Sequence, residues 1–430
     1  MKLHNLPLLL VLFLQILACK NLIKEPPVDI LFNINADNNK NLIDLKLSDL
    51  ADSFRLIPLE TNKECLLGEN TTYYVCKRYI IAYSERGVYK FNADGKFIKK
   101  LFGLGTGPNE FLGLAGFCDF VVDEKNDHLY ILDKIEKYKY LVVYDLKSEQ
   151  FLDPVKRCFP GYETFAQYND SLIIGSIHDM RDTSNYAVYY QNFKGEFVSG
   201  ITHNKKTIFR QRVTHNKKTI FRQRETFQHG RLTKVDSIYY FSFDYDDTLF
   251  RIRENKLIPY LVLNFKTKRD NTPDQTRKVG DRFISYQFGA SGFIIVKISI
   301  IDDIKGDVNG IWTEKRNYTY LLFYPTTGEV SKIRTYTDNL IGDTKDLFNL
   351  NIESDIYPDF LSLLPERKLV VTYYPLQIKK AIEKNIYNKN FPDNISEQLL
   401  KINETLEETD NPVLLIGNIK VSYKSLTHKR

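Results

Sequence analysis

The chain has 430 residues, with 28 Tyr, 28 Phe and only two Met, and it carries a formal net charge of +6 at pH 7. This aromatic-rich composition, with many short runs of Ile, Val and Tyr, is typical of β-strands and argues against a helical bundle. The positive charge does not predict a nucleic-acid-binding protein, because a tandem copy at residues 201–224 contributes +8 and the remaining residues sum to −2.

The N-terminus has the layout of a cleaved export signal over residues 1–18. Lys2 is followed by an apolar run from Leu6 to Ala18, which is shorter than the about 20 residues that a membrane span needs. Ile16-Leu17-Ala18-Cys19 resembles the lipobox of bacterial lipoproteins. The resemblance implies that Cys19 is lipidated and that residues 19–40 form the lipidated cysteine and its tether. An ordinary signal peptide that happens to contain a cysteine is the alternative.

Strand-like runs broken by turn residues follow residue 50 and continue along most of the chain. The sequence NADG at 92–95 is a turn signal between two such runs. Helical spacing of apolar residues occurs only at 375–387 and 394–408, and residues 411–421 return to a strand pattern. Because no long linker rich in Gly, Pro or Ser interrupts residues 41–425, we predict a single domain there. The principal predicted strands are 53–60, 71–83, 87–91, 96–102, 117–123, 128–133, 140–146, 237–252, 256–265, 292–301 and 317–330.

The cysteine and histidine spacings do not indicate a metal or redox site. Beyond Cys19 the chain has Cys65, Cys76, Cys118 and Cys158, with no C-x-x-C pair. Cys65 and Cys76 are the only close pair, and both a disulfide and free buried thiols remain open for them. The histidines are scattered singly, and Asp244, Asp246, Asp247, Asp302 and Asp303 are interpreted as turn residues. We therefore predict no catalytic residue, no metal and no cofactor.

The tandem copy consists of ITHNKKTIFRQR followed by VTHNKKTIFRQR at residues 201–224. A 12-residue unit is shorter than the about 20 to 50 residues of a repeat fold, so it does not indicate a solenoid. We interpret it as an insertion in an exposed hairpin or loop, where added length costs little loop entropy. An anion-binding ribbon is the alternative.

A glycine-rich stretch, LFGLGTGPNEFLG at 101–113, raises the question of a phosphate-binding loop. It fits neither G-x-x-x-x-G-K-[ST] nor G-x-G-x-x-G, and a strand rather than a helix is predicted after it. We interpret its glycines as backbone positions that need positive φ or close approach. The predicted structural motif comprises Gly103, Gly105, Gly107, Pro108, Asn109, Glu110 and Phe111.

Residues 95–146 around this motif resemble an NHL-type β-propeller blade, and the chain as a whole resembles the bacterial six-bladed β-propeller lipoproteins. Supporting stretches lie at 47–61, 246–265 and 410–420, while Asn109 departs from the glycine of the blade motif. The resemblance implies an all-β, six-bladed β-propeller with short C-terminal helical insertions over 41–425. It further implies that FRLIPLE (54–60) and PVLLIGNIKV (412–421) share one blade. Residues 163–230 match least, so the boundaries of the third blade are not predicted.

The fold hosts both enzymes and binding platforms, and we predict a non-catalytic binding or scaffold module for a protein, peptide or glycan. The charge distribution predicts no nucleic-acid partner. The lipobox implies a lipid-anchored location in the bacterial cell envelope, with the outer membrane favoured and the module facing the surface or the periplasm. One alternative is an NHL-like enzyme, a lactonase, lyase or hydrolase with a metal in the central channel. Another is an accessory subunit of an envelope transport or assembly complex.

Overall fold

The structure is a computed structural model that describes most of the chain after residue 30. The described residues are 31–35, 41–68, 71–84, 86–104, 110–111, 120–132, 140–159, 163–169, 171–177, 185–204, 206–215, 218–227, 230–235, 238–243, 246–265, 279–280, 282–290, 292–306, 312–325, 327–337, 340–341, 361–364, 368–385 and 393–420.

Five of the six blades are built from strands that follow one another in the chain and pair antiparallel with their neighbours. Apolar and β-branched residues dominate these strands, and short turns join them. Blade 1 consists of β4 (Thr72–Val75), β5 (Tyr79–Ser84), β6 (Gly87–Asn92) and β7 (Phe97–Leu104), and β8 (Glu110–Phe111) is added parallel to β7. Blade 2 consists of β9 (Phe120–Asp123), β10 (His128–Leu132), β11 (Tyr140–Asp145) and β12 (Gln150–Lys156), and blade 3 consists of β13 (Glu163–Gln167), β14 (Leu172–Ile177), β15 (Tyr186–Asn192) and β16 (Phe197–Thr202). Blade 4 consists of β19 (Gly230–Val235), β20 (Ile238–Phe243), β21 (Thr248–Arg253) and β22 (Lys256–Asn264), and blade 5 consists of β23 (Arg282–Ala290), β24 (Phe293–Gly306), β25 (Trp312–Tyr324) and β26 (Glu329–Thr337).

Blade 6 joins the two ends of the domain. Its strands are β27 (Leu361–Leu364), β28 (Lys368–Tyr373), β29 (Val413–Ile419) and β3 (Ala51–Pro58), in that spatial order. β29 pairs antiparallel with β28 on one side and with β3 on the other, with Val413 opposite Pro58. This confirms the prediction that the first and last apolar runs share a blade.

The first strand of each blade lies toward the inside of the ring. β9 lies against β13, β13 against β19, β19 against β23, β23 against β27, and β27 against β4. Buried side chains fill the space between blades: Val370 and Leu414 of blade 6 belong to the same apolar cluster as Ile80 and Phe91 of blade 1. The predicted all-β, six-bladed propeller is therefore confirmed.

Two N-terminal strands, β1 (Phe32–Asn35) and β2 (Leu42–Lys46), form what we call the N-terminal strap. β1 adds parallel to the outer strand of blade 4, and β2 adds parallel to the outer strand of blade 5. The Phe32 ring contacts Tyr260 at 5.5 Å and Phe323 at 5.0 Å between ring centroids. Residues 32–35 thus belong to a blade edge, although the sequence predicts a tether there.

Short helices occur at two places. α1 (Leu47–Leu50) follows the strap, whereas α2 (Pro375–Asn385) and α3 (Asp393–Asn403) are inserted between β28 and β29. Both C-terminal helices were predicted, and α3 ends at Asn403, earlier than the predicted residue 408. α3 packs against β3, and the main-chain N–H of Leu56 donates to Gln398 Oε1 at 2.7 Å.

The tandem copy forms a hairpin of its own between blades 3 and 4, in agreement with the predicted insertion. β17 (Lys206–His215) and β18 (Lys218–Phe227) pair with each other antiparallel as a separate two-stranded sheet. Blade 3 therefore ends at Thr202 and blade 4 begins at Gly230.

The predicted strand at 71–83 is divided in the structure. The main-chain N–H of Cys76 donates to the carbonyl of Tyr79 at 2.9 Å, which closes a turn between β4 and β5. The turn was missed because its residues, Cys76, Lys77 and Arg78, include none of the Gly, Pro, Asn or Asp residues that usually mark a turn.

Candidate binding face

The two faces of the propeller differ strongly in their connections. In an antiparallel blade the first-to-second and third-to-fourth connections lie on one face, and all other connections lie on the opposite face. On the first face the connections within blades have two to four residues, so we call it the tight-turn face. The opposite face, which we call the loop-rich face, carries connections as long as 203–229 and 374–412.

The tight-turn face repeats one turn geometry in blades 1 and 3. Asn92 Oδ1 accepts main-chain N–H bonds from Asp94 and Lys96, both at 2.9 Å. Asn192 makes the equivalent bonds with the residues two and four positions later. Each turn then has a glycine in the left-handed region, with φ of +83° at Gly95. This face is thus built mainly from compact, locally bonded turns.

These turns also connect neighbouring blades. A Cβ atom added to Gly95 would lie 2.3 Å from the carbonyl oxygen of Pro58, at the end of the preceding blade. One added to Gly195 would lie 2.2 Å from the carbonyl oxygen of Lys156. Glycine is therefore required at both positions by close backbone approach as well as by φ.

A long hairpin projects from blade 5 on the loop-rich face. β23 pairs with β24 only as far as Ile300, whereas β24 continues against β25 until Gly306 meets Trp312. Asp302 lies on this extension and accepts a 2.8 Å bond from Asn317 Nδ2. The expectation that Asp302 and Asp303 form a turn is wrong, because the ladder continues through them with a bulge after Ile301.

The helical insertion is fixed to the loop-rich face at Asn411, which is only 3% exposed. Its Nδ2 donates to the carbonyl oxygens of Cys65 at 2.7 Å and Glu60 at 2.8 Å. Its Oδ1 accepts the main-chain N–H of Leu67 at 2.9 Å, and its own N–H donates to Thr61 Oγ1 at 2.6 Å. One side chain thereby joins the connection between blades 6 and 1 to the start of β29.

Sequence reasoning did not identify Asn411 as a key residue. The available signal was its position, directly before Pro412 and a strand that is apolar throughout, where a polar residue is expected to have specific partners. Cys65 is fully buried beside it, and burial raises the pKa of its thiol to about 12. Cys65 is therefore a structural thiol rather than a reactive one.

Large apolar side chains are exposed on three connections of the loop-rich face. They come from the connection that Asn411 holds, from the connection after blade 4 and from the two inserted helices. They are Leu66 (41% exposed), Val279 (62%), Leu376 (44%) and Leu400 (55%). These side chains give the loop-rich face apolar surface beside its polar residues.

One aromatic cluster lies on the tight-turn face, between blades 3 and 4. Tyr168, in the turn after β13, is 41% exposed and contacts the buried rings of Tyr190 at 5.0 Å and Tyr239 at 5.3 Å. Lys234 Nζ lies 5.3 Å from the centre of the Tyr239 ring, and desolvation lowers the pKa of this lysine. Two of the three tyrosines are buried, so the cluster mainly seals the junction between these blades.

The glycine-rich motif is described only in part. At the end of β7, Gly103 lies opposite Glu110 and Leu104 lies opposite Phe111. The short strand β8 therefore pairs parallel with β7, the outer strand of the same blade. A Cβ at Gly103 would lie 3.7 Å from the Glu110 side chain, which is ordinary contact. The other predicted motif residues, Gly105, Gly107, Pro108 and Asn109, lie outside the described residues, as do Cys19 and Cys118.

The remaining candidate residues are the cysteines and the acidic residues of the predicted turns. Cys65, Cys76 and Cys158 are free thiols, so the possible Cys65–Cys76 disulfide is not formed. Asp246 and Asp247 lie in the turn between β20 and β21, as expected, while Asp244 lies outside the described residues.

Within the described ranges no group of three or more His, Cys, Asp or Glu residues is arranged to hold a metal ion. No helix in the same ranges is long and apolar enough to cross a membrane.

The ring of six blades defines the chain as a β-propeller with one elaborated face. The family model described as a domain of unknown function, DUF4934, matches residues 30–418. The chain belongs to this family.

One solved structure supports the same fold. A "Putative exported protein" from Bacteroides fragilis is 16% identical, with a TM-score of 0.55 over 90% of this chain and 99% of that one. A member of the DUF4221 family from Bacteroides vulgatus is 11% identical, with a TM-score of 0.41 over 86% of this chain and 97% of that one. Comparison with curated proteins gives no match.

Proposed function

We propose that the protein is a lipid-anchored binding or scaffold module of the bacterial cell envelope, which holds a protein, peptide or glycan partner on its loop-rich face. The concentration of long connections on this face is the observation that carries the proposal. Connections on the tight-turn face are short and locally bonded, so they offer little adaptable surface. The exposed Leu66, Val279, Leu376 and Leu400 add apolar surface on the opposite side.

The N-terminal strap supports an orientation in which the loop-rich face points away from the membrane. β1 runs parallel to β22, which starts from a tight turn, so β1 runs along this blade edge in the direction that leads away from the tight-turn face. Gly328 lies in another turn of that face, and a Cβ there would lie 2.5 Å from the Phe32 ring. With Cys19 as the lipidated residue, the 12 residues to Leu31 would span at most about 40 Å.

Site-specific photo-crosslinking in native envelopes tests this proposal. A photoreactive amino acid replaces Lys315, which is exposed on the blade 5 hairpin, and in a matched protein it replaces Lys194, which is exposed in a tight turn. We expect the position 315 protein to give a discrete crosslinked species that the position 194 protein does not give. Equal crosslinking from both positions, or crosslinking from position 194 alone, would overturn the assignment of the binding face.

A further inference from the structure

The β17–β18 hairpin is a basic ribbon formed by the tandem copy pairing with itself. Its two strands contain six Lys or Arg residues and a single acidic residue, Glu225. Each strand has ten residues, so the ribbon is about 33 Å long at the usual rise of a β-strand. The two strands make up a sheet of their own rather than belonging to a blade.

The pairing register places equivalent residues of the two copies on opposite faces of the ribbon. Arg210 pairs with Gln223, whereas Arg222, the counterpart of Arg210 in the second copy, pairs with Gln211. Since successive positions of a strand alternate between faces, 210 and 222 lie on different faces. The duplication therefore gives each face the same three cationic positions. These are 206, 210 and 212 on one face and 218, 222 and 224 on the other.

The same register keeps these charges from opposing one another directly. Arg212 lies opposite Phe221, and Arg224 lies opposite Phe209. Like charges at directly opposed positions destabilise a two-stranded sheet, so the observed offset lets the ribbon hold a high charge density. Four of the six cations are arginines, which bind carboxylate and sulfate groups through two parallel hydrogen bonds.

We propose that the β17–β18 ribbon binds a linear anionic glycan that carries carboxylate or sulfate groups. Cations on both faces suit a flexible polymer that can pass around the ribbon, whereas a planar anionic membrane would meet only one face. A glycan fits better than a nucleic acid for an exported protein, and in this choice alone the inference rests on the proposed function. The ribbon lies in the connection between β16 and β19, which belongs to the loop-rich face.

Binding measurements with defined polymers test the inference. The full-length protein is titrated with polygalacturonate, with neutral dextran, with oligothymidylate and with vesicles of phosphatidylglycerol in phosphatidylcholine. The test variant is Arg210→Gln/Arg212→Gln/Arg222→Gln/Arg224→Gln. The matched control, Lys96→Gln/Lys256→Gln/Lys380→Gln/Lys401→Gln, removes the same charge from exposed positions elsewhere. Melting curves of both variants show whether the propeller remains folded.

We expect polygalacturonate to bind most tightly, with an affinity that falls as NaCl is raised. The arginine variant should lose at least about tenfold in affinity, and the lysine control less than about threefold, since dispersed surface charges contribute little each. Equal losses in the two variants would show a net-charge effect and overturn the inference. Tighter binding of oligothymidylate or of vesicles, or equal binding of dextran, would also overturn it. None of these outcomes depends on the crosslinking result, so the two proposals can fail separately.

Discussion

Asn411 Nδ2 donates a 2.7 Å hydrogen bond to the carbonyl oxygen of Cys65, although these residues lie near opposite ends of the domain. The bond is buried and belongs to the set that fixes the connection between blades 6 and 1. Closure of the propeller therefore includes a polar attachment in addition to the β3–β29 ladder.

Asn411→Ala should lower the free energy of unfolding by about 3 kcal/mol, because it removes the partner of the buried Cys65 carbonyl and of the part-buried main-chain groups of Glu60 and Leu67. Urea denaturation of the purified protein measures this change. Asn317→Ala, which removes an exposed amide with a side-chain partner, is the control and should change stability by less than about 0.5 kcal/mol. Similar effects of the two substitutions would contradict the assigned role of Asn411.

Gly95→Ala should destabilise the protein by about 3 kcal/mol, through left-handed backbone strain and a clash with the Pro58 carbonyl. Gly280→Ala separates these two effects. Gly280 also has positive φ, but an added Cβ would meet nothing within 4 Å, so only about 1 kcal/mol of strain is expected. Equal losses in denaturation experiments would show that the contact between blades does not restrict position 95.

The resemblance to six-bladed propellers predicted ring closure, and local sequence patterns identified the two runs that close the ring. Residues 54–60 and 412–421 are apolar runs at the two ends of a single domain, and they became β3 and β29 in one blade. The helices at 375–385 and 393–403 were found for the same reason, since an apolar stripe at helical spacing needs no knowledge of distant residues.

The strap and the Asn411 contacts could not be predicted in this way. β1 is four residues long, and it is held by parallel pairing and by Phe32 packing on Tyr260 and Phe323, which are far away in the sequence. Asn411 resembles any asparagine in a turn until its partners at residues 60–67 are placed beside it. The face that carries the candidate site follows from how the connections alternate in three dimensions, and no single stretch of sequence encodes it.

Cys19→Ser should release the protein from the membrane, because the predicted lipobox places the acyl chains on this cysteine. Detergent phase partitioning of whole-cell extracts measures the change, with the wild type expected in the detergent phase and the variant in the aqueous phase. Cys158→Ser, which alters a free thiol of the propeller, is the control and should stay in the detergent phase. Membrane association of the Cys19→Ser protein would show that the lipobox assignment is wrong.

The attachment of β2 to blade 5 should weaken in acid. Arg334 and Thr335 donate hydrogen bonds to the Asp44 carboxylate. These bonds lower the pKa of this carboxyl to about 2, and the bonds from Arg334 contribute most to the shift. A depressed folded-state pKa gives stability that is present above the unfolded value near pH 3.8 and is lost as the pH falls toward about 2. The difference in urea midpoint between wild type and Asp44→Asn should therefore be constant above about pH 5 and shrink below it. Arg334→Gln should reproduce that profile, and a difference that persists unchanged at low pH would contradict it.

Deletion of residues 213–224 should leave the propeller nearly intact. The hairpin is a separate sheet, and one copy of the unit remains to connect β16 with β19. We expect the melting temperature to change by less than about 2 °C, because no blade strand is removed. Loss of a cooperative transition in calorimetry would show instead that both copies are needed by blades 3 and 4.

Removal of β29 should destabilise the whole ring, because this strand lies inside blade 6 with a partner on each side. Truncation after Glu408 exposes the edges of β28 and β3, and it uncovers the apolar faces that Val413, Leu414 and Leu415 bury. A soluble protein of residues 19–408, carrying Cys19→Ser to prevent lipidation, should aggregate or lose its cooperative thermal transition. The same protein ending at Lys420 keeps β29 and should melt like the one ending at Arg430, as a monomer in light scattering. If the protein ending at Glu408 melts like the longer two, β29 is dispensable and closure by β3 and β29 does not stabilise the ring.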